Sequence, residues 1–517
     1  MPYQFLLFLA VFTGLALIGY SLTPKKHRYL ALLAASVVCV VAMSGYAAVF
    51  VAVTVVTTYA AGRLMDAAAK GIDLTGLDKS ARKAAKAKIK HRKKLVVAAY
   101  ALVDLGILLV LKYFNFFSSA ASHLVNLMGG DSAPLLVRLA MPLGLSYYTL
   151  QALSYVIDVY RGKYPPEKNF GKLALFVTFF PQLHEGPFGR YDLLMPQMTQ
   201  GKSISLDNIY DGLIRILWGL FQLLMVANRA AMISDAVFSG YESYGGWTVA
   251  LGAAAFTLQL YAEFSGYIHI AQGVSRFFGI TLAQNFDLPF AAQTVAEFWR
   301  RWHISLGAFF RDYVFYPIST SKWLRSMTKP LSFAVGSFLS VTVSLLGVWF
   351  LTGLWHGASW KYVCYGLYYF LLILAGNLIA PWAAKLLSNI GVGEQNPVLV
   401  CLRVVRTWIL VLIGMAMFRA PDMGVFFHMA GSLFTAGAPF SLLQAIDIWD
   451  LSVLVLSAAV LAGVGIAKLC HVDPEGWYCR RKPCQRYLVC FALFCIIMIF
   501  GAYGLGYIAP DPIYGGF

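Results

Sequence analysis

The sequence predicts an all-α polytopic membrane protein, and three observations carry that prediction. First, 59% of the 517 residues are hydrophobic and only 13% are charged, more apolar sequence than a water-facing domain can bury. Second, the apolar residues fall in many separate runs of about 15–23 residues, the length a helix needs to cross a bilayer. Third, the runs are continuous rather than alternating, which excludes a β-barrel. The formal net charge is +17. In such a chain basic residues gather in cytoplasmic loops, so the excess points to topology and not to nucleic acid.

The first run, residues 5–20, lacks a basic leader and a small-residue cleavage site and reads as a retained helix. Runs 29–43 and 46–61 are separated by Ser44-Gly45 and form a tight hairpin. Basic residues at 24–28 and across 63–94 therefore share one face, which the positive-inside rule makes cytoplasmic, with the N-terminus outside. The Ala- and Lys-rich stretch 79–90 is either a helix on anionic headgroups or a solvated loop that fixes topology, and the loop is the preferred reading. Residues 95–117 and 139–159 are spans around a loop at 118–138. Residues 172–180 are too short to cross and run into Pro181-Gln182, Gly186-Pro187 and Gly189-Arg190, the composition of a re-entrant segment. Spans follow at 213–227, 248–261 and 268–280, the last two parted by Glu263-Phe264-Ser265-Gly266-Tyr267. Further spans lie at 331–350, 362–380, 398–418, 452–467 and 487–503, with a weaker one at 424–440. The basic loop 468–486 is again cytoplasmic. Its Cys470, His471, Cys479 and Cys484 lack paired C-x₂-C spacing, so they read as reduced thiols and not as a metal site. The whole of 1–517 reads as one integral-membrane domain.

Candidate chemistry sits on either side of span 331–350, in Trp299-Arg300-Arg301-Trp302-His303 and in Gly353-Leu354-Trp355-His356-Gly357. Imidazole is the side chain most readily poised for proton transfer near neutrality, and an ionisable group at membrane depth is a functional candidate. The residues alone leave open a second reading, two interfacial histidines beside belt tryptophans. On a helix, Trp299, His303 and Leu306 share a face. Gly353, Gly357 and Ala358 are expected to leave the His356 imidazole accessible. Trp349, Trp355 and Trp360 give it a water-poor setting, which favours neutral imidazole.

Together these motifs resemble the membrane-bound O-acyltransferase (MBOAT) family, in its bacterial branch of alginate O-acetyltransferase subunits and D-alanyl transfer proteins of teichoic acid synthesis. The resemblance is carried by Trp299 to Leu306, Arg311-Asp312-Tyr313, Gly353 to Gly357, Pro142-Leu143-Gly144-Leu145-Ser146-Tyr147-Tyr148, Phe180-Pro181-Gln182 with Gly186-Pro187 and Arg190, and Asn285-Phe286-Asp287-Leu288-Pro289. It is strongest over 142–365, the expected catalytic core region. It implies a ring of about 11 tilted spans, with re-entrant and interfacial helices, around a central funnel. It also implies acyl transfer from a cytoplasmic thioester to a hydroxyl of a cell-envelope polysaccharide, or of a partner protein of SGNH type that relays the group. The donor is expected to be an acyl-CoA, acetyl-CoA by preference, with no bound cofactor. In this reading His356 is the base, and His303 orients the thioester or steadies the oxyanion. Arg300, Arg301, Trp299 and Trp302 hold the donor, and Glu263, Ser265, Asn285, Asp312, Gln182, Arg190 and Trp355 support the site. D-alanyl transfer from a carrier protein is the alternative within the family. A proton-coupled transporter using Glu263, His269 and His356 is the alternative outside it, and would call for internal repeats that the sequence lacks.

Three departures stand out. His269 occupies the place of the family's second acid in Asp-Phe-Ser-Gly-Tyr-Ser-Asp, the segment 317–320 is Pro-Ile-Ser-Thr, and the C-terminal motif is reduced to Ile513-Tyr514-Gly515-Gly516-Phe517.

The expected topology is testable by cysteine labelling of intact cells. A cysteine at position 2 should react from outside and one placed within 63–94 should not; the opposite pattern would reject the orientation.

Overall fold

The computed structural model describes residues 3–71, 75–183, 185–435, 437–438 and 440–503; position 2 and the C-terminal motif lie outside them. The described residues are nearly all helical and hold no strand beyond one isolated bridge. Eight helical stretches among them are long and apolar enough to cross a membrane. The chain divides into two compact units, one of residues 11–205 with 275–282, the other of residues 3–10, 206–274 and 283–503.

The first unit begins within α1 (Tyr3–Leu22), from residue 11 on, and continues with α2 (Arg28–Ser44) and α3 (Ala48–Lys70). Gly45, at φ 54°, closes α2 and turns the chain, as the hairpin reading expects. Tyr29, at the start of α2, meets the Asn169 amide, and Tyr59 on α3 stacks edge-on against Phe170. The hairpin therefore returns to the end it left. The stretch 63–94 is not the loop expected. The helix α3 runs to Lys70, and α4 (Lys79–Leu108) is capped by the Asp78 carboxylate, which accepts the Ala81 N–H at 2.7 Å. Alanine and lysine are strong helix formers, so once capped the segment runs unbroken into its span. A π-helical turn joins α4 to α5 (Phe114–Leu127), which takes up part of the expected 118–138 loop.

Helices α3, α4 and α6 (Leu145–Arg161) pack together. Between them lies Asp104, 1% exposed. Its carboxylate accepts from Thr54 Oγ1 and from the Tyr100 hydroxyl, both at 2.9 Å, and Thr58 bonds to Tyr100 in turn. A buried acid in a span is tolerated when surrounded in this way. The short α7 (Phe170–Thr178) and the turn 180–182 lead to α8 (Tyr191–Thr199), which agrees with a segment that does not cross. Gly144 has φ 70° and a Cβ there would collide with the Leu183 carbonyl. The two motifs around Gly144 and Gln182 thus meet backbone to backbone, with Tyr147 stacked on Phe188 at 5.0 Å.

In the second unit α9 (Leu206–Phe221) continues through a π turn into α10 (Asn228–Ser239). The expected pair of spans at 248–261 and 268–280 is a single helix, α11 (Trp247–Phe277). Nothing in Glu263 to Tyr267 breaks a helix, since Gly266 only removes a side chain. A Cβ on Gly219 or Gly266 would strike the other's carbonyl, and Gly273 lies equally close to the Gly212 carbonyl. Two glycines seven residues apart on each helix let the backbones touch.

Short α12 (Val295–Arg301), α13 (Ile304–Phe310), α14 (Tyr316–Ser319) and α15 (Lys322–Thr328) precede the long α16 (Phe333–His356), α17 (Trp360–Asn389) and α18 (Pro397–Arg419). The expected weak span 424–440 is instead the ten-residue α19 (Met423–Ser432) and the short α20 (Leu442–Ala445). The chain closes with α21 (Ile448–Leu469), α22 (Pro474–Cys479) and α23 (Pro483–Phe500).

Gly144→Ala should lower the melting temperature in detergent. The left-handed backbone alone costs about 1–2 kcal/mol with a Cβ, and the Leu183 collision adds to it. An unchanged melting curve would refute the contact.

Candidate active site

His303 does not lie on a continuous helix with Trp299, contrary to the shared-face expectation. Helix α12 stops at Arg301, Trp302 is extended, and His303 is left-handed at φ 49°. The cause is a competing set of backbone bonds. Phe286 and Trp302 form an antiparallel bridge. The Asp287 N–H donates to the Arg301 carbonyl at 3.0 Å, and the Ile304 N–H to the Asn285 carbonyl at 3.0 Å. The Asn285 side chain then accepts the Ser305 N–H at 3.0 Å, which caps the first turn of α13. A non-glycine residue at positive φ is held against a local cost of about 1–3 kcal/mol, and these bonds hold it.

His356 ends α16. The glycines beside it do not open the site as expected. Cβ atoms on Gly353 and Gly357 would run into the backbone and the ring of Tyr362, so glycine here lets α17 approach. His303 and His356 are each 3% exposed. The Trp355 indole lies between them, its ring centre 5.7 Å from His303 and 5.0 Å from His356. Phe264 of α11 closes on His303 at 4.7 Å. Phe418 and Tyr365 lie edge-on to His356 at 5.1 and 5.7 Å. The two histidines thus lie in one buried aromatic cluster, a water-poor setting in which a neutral imidazole can act as a base and a charge developing on a carbonyl is poorly screened.

The remaining candidates divide. Trp355, Glu263 and Ser265 are buried in the same unit as the histidines; Asn285 positions His303 as described. Trp302 stacks on Phe298 at 5.4 Å, and Trp299 is enclosed by Trp349, Tyr365 and Tyr369. Trp302 is a core residue and Trp299 is half-buried, and both take part in packing around the histidines. Arg301 is paired with Glu297 at 2.6 Å, whereas Arg300 is exposed. Asp312 is engaged by its neighbour Arg311 at 3.1 Å. Gln182, which donates to the Pro187 carbonyl, and Arg190, which precedes α8, belong to the first unit. His269 faces a different cavity. Sequence reasoning missed Phe264, Tyr365 and Phe418. It also missed Arg403 and Arg406, which bond to Gln293 just ahead of α12; two arginines three residues apart inside an apolar run were the available signal.

A many-helix membrane protein with two histidines buried around one indole fits a class of enzymes that work on reactants within the bilayer. The family model for MBOAT, the membrane-bound O-acyltransferase family, matches residues 99–388, and the chain belongs to that family. It is 30% identical over 467 residues to the probable alginate O-acetylase AlgI of Azotobacter vinelandii, covering 89% of this chain and 83% of that one. To the probable alginate O-acetylase AlgI of Pseudomonas aeruginosa it is 33% identical over 370 residues, covering 71% and 66%. The teichoic acid D-alanyltransferase of Bacillus subtilis is 28% identical over 252 residues, covering 47% and 60%.

Two outcomes test the site. Asn285→Ala should cost about 1 kcal/mol, the usual weight of a lost helix cap, and should lower activity further because His303 loses its anchor. His356→Ala should lower the melting temperature, since it empties volume among Trp355, Tyr365 and Phe418; about 2 kcal/mol is expected for a packed side chain of this size. A variant that melts as wild type would show that His356 carries no packing.

Proposed function

We propose that this acyltransferase moves an acetyl group from a cytoplasmic thioester, acetyl-CoA, to a hydroxyl of a cell-envelope polysaccharide, directly or through an SGNH-type partner protein outside. The observation that supports it is the pairing of His303 and His356 around Trp355 in a buried aromatic cluster. His356 takes the acceptor hydroxyl proton, and the resulting alkoxide attacks the thioester carbonyl. His303 holds that carbonyl and supports the oxyanion. Collapse expels the thiolate, which takes the proton from the His356 imidazolium and leaves as the free thiol. Arg300, with Arg403 and Arg406, meets the donor phosphates, a task suited to forked guanidinium groups. The alginate O-acetylase relatives favour acetyl and a polysaccharide. The protein resides in the cell membrane with its N-terminus outside, as the charge distribution indicates.

The D-alanyltransferase relative supports a second reading, D-alanyl transfer to teichoic acid from a carrier protein. Mass spectrometry of surface glycans with and without the protein separates the two, since acetyl and D-alanyl esters differ in mass.

In proteoliposomes supplied with acetyl-CoA, His356→Gln should lose at least about 10²-fold in kcat, the weight of a general base, because an amide cannot take a proton. Retention of a tenth of the wild-type rate would remove His356 from that role. Arg300→Ala should raise the donor KM and spare kcat; a collapsed kcat at unchanged KM would place Arg300 in the chemistry instead.

A further inference from the structure

A cavity of about 260 Å³ lies within the unit that holds the histidines, bounded by α9, α11, α21, α22 and α23. Its apolar lining comes from Ile214, Trp218, Val464 and Val489, and its charged lining from Arg215, Lys468, Asp211 and Glu475. His269 reaches into it. The Nδ1 atom of that imidazole is closed off from solvent and meets no hydrogen-bond partner among the described residues, and Arg215 and Lys468 lie within electrostatic range of it. The acids nearby are already engaged. Glu475 is paired with Arg215, and Asp211 with Arg486 at 2.5 Å. Lys468 is exposed at the end of α21 and makes no ion pair among the described residues. Arg481 covers the face of Trp477, another lining residue, at 4.3 Å.

We propose that this cavity binds an anionic phospholipid, its phosphate between Lys468, Arg215 and His269 and the start of an acyl chain along Trp218, Ile214 and Val464. With both lining acids held by arginines, an apolar slot that keeps the Lys468 ammonium at its edge matches an amphiphile that carries negative charge. Three of its helices, α9, α21 and α23, lie in stretches long and apolar enough to cross a membrane, and the basic 468–486 segment beside it is where anionic headgroups would gather on a cytoplasmic face. A thioester donor is the poorer occupant on geometric grounds. Phe264 is the α11 residue that touches His303, and His269 lies five residues further on, about 140° round the helix. The cavity therefore faces away from the histidine pair.

Native mass spectrometry of the full-length protein, stripped of lipid and titrated with phosphatidylglycerol or phosphatidylcholine, tests this. Wild type should retain one phosphatidylglycerol in clear preference to phosphatidylcholine. His269→Asp, which places a negative charge under the phosphate, and Lys468→Gln should each weaken retention about fivefold, the weight of one charge beside an anionic headgroup. Lys322→Gln, remote from the cavity, should not. Because Lys468 is exposed, its variant reports on binding even if His269→Asp fails to fold. Equal retention of the two lipids, or a Lys468→Gln variant that binds as wild type, overturns the proposal. Displacement of the lipid by acetyl-CoA also overturns it, by giving the cavity to the donor.

Discussion

The structure around the histidines depends on one rule: a backbone N–H or C=O removed from water must find a partner. Interrupting a helix inside an apolar core frees several such groups at once. Here the interruption falls between Trp302 and His303, and the Asn285–Asp287 segment meets the cost with its carbonyl, its N–H and one side chain. The break is the means by which His303 is aimed at Trp355, since an unbroken helix would carry it elsewhere. Every later feature of the cluster follows from that placement, including the closure by Phe264 and the face of Trp355 that remains for His356.

The second requirement is closeness of backbones. Helices α16 and α17 can bring His356 against Tyr362, Tyr365 and Phe418 only because Gly353, Gly357 and Gly366 present no side chain at the contact. The same device draws α11 to α9. Packing between helices in lipid rests on contact and not on release of water, so loss of contact area has no hydrophobic compensation.

Much of this was legible in the sequence, for definite reasons. Span length and the Ser44-Gly45 hairpin are written in hydropathy and turn residues, and the two Trp-His pairs stand out because imidazole is scarce in apolar sequence. What was not legible depended on long-range partners. The break at His303 is set by Asn285, about twenty residues away in sequence, and the local pattern there reads as a good helix. Glycines next to His356 suggest open space by their size alone, whereas they mark where another helix presses in. Glu263 read as an interruption between two spans because a charged residue there looks like a loop, yet nothing in that stretch stops a helix. The lysine-rich stretch 79–90 has the charge of a loop and the composition of a helix, and the Asp78 cap decides between them.

The carboxylate of Asp104 has a consequence for how the chain enters the membrane. An acid at the centre of an isolated span opposes insertion by about 2.5–3.5 kcal/mol. Its partner Thr54 sits on α3, as does Thr58, which bonds to Tyr100, and α3 leaves the ribosome first, while Tyr100 travels on α4 itself. Synthesis order therefore delivers a waiting polar groove before the acid arrives, and α4 can settle against α3 without ever facing lipid alone. The α2–α3 hairpin is in this sense the assembly template for the helix that follows it.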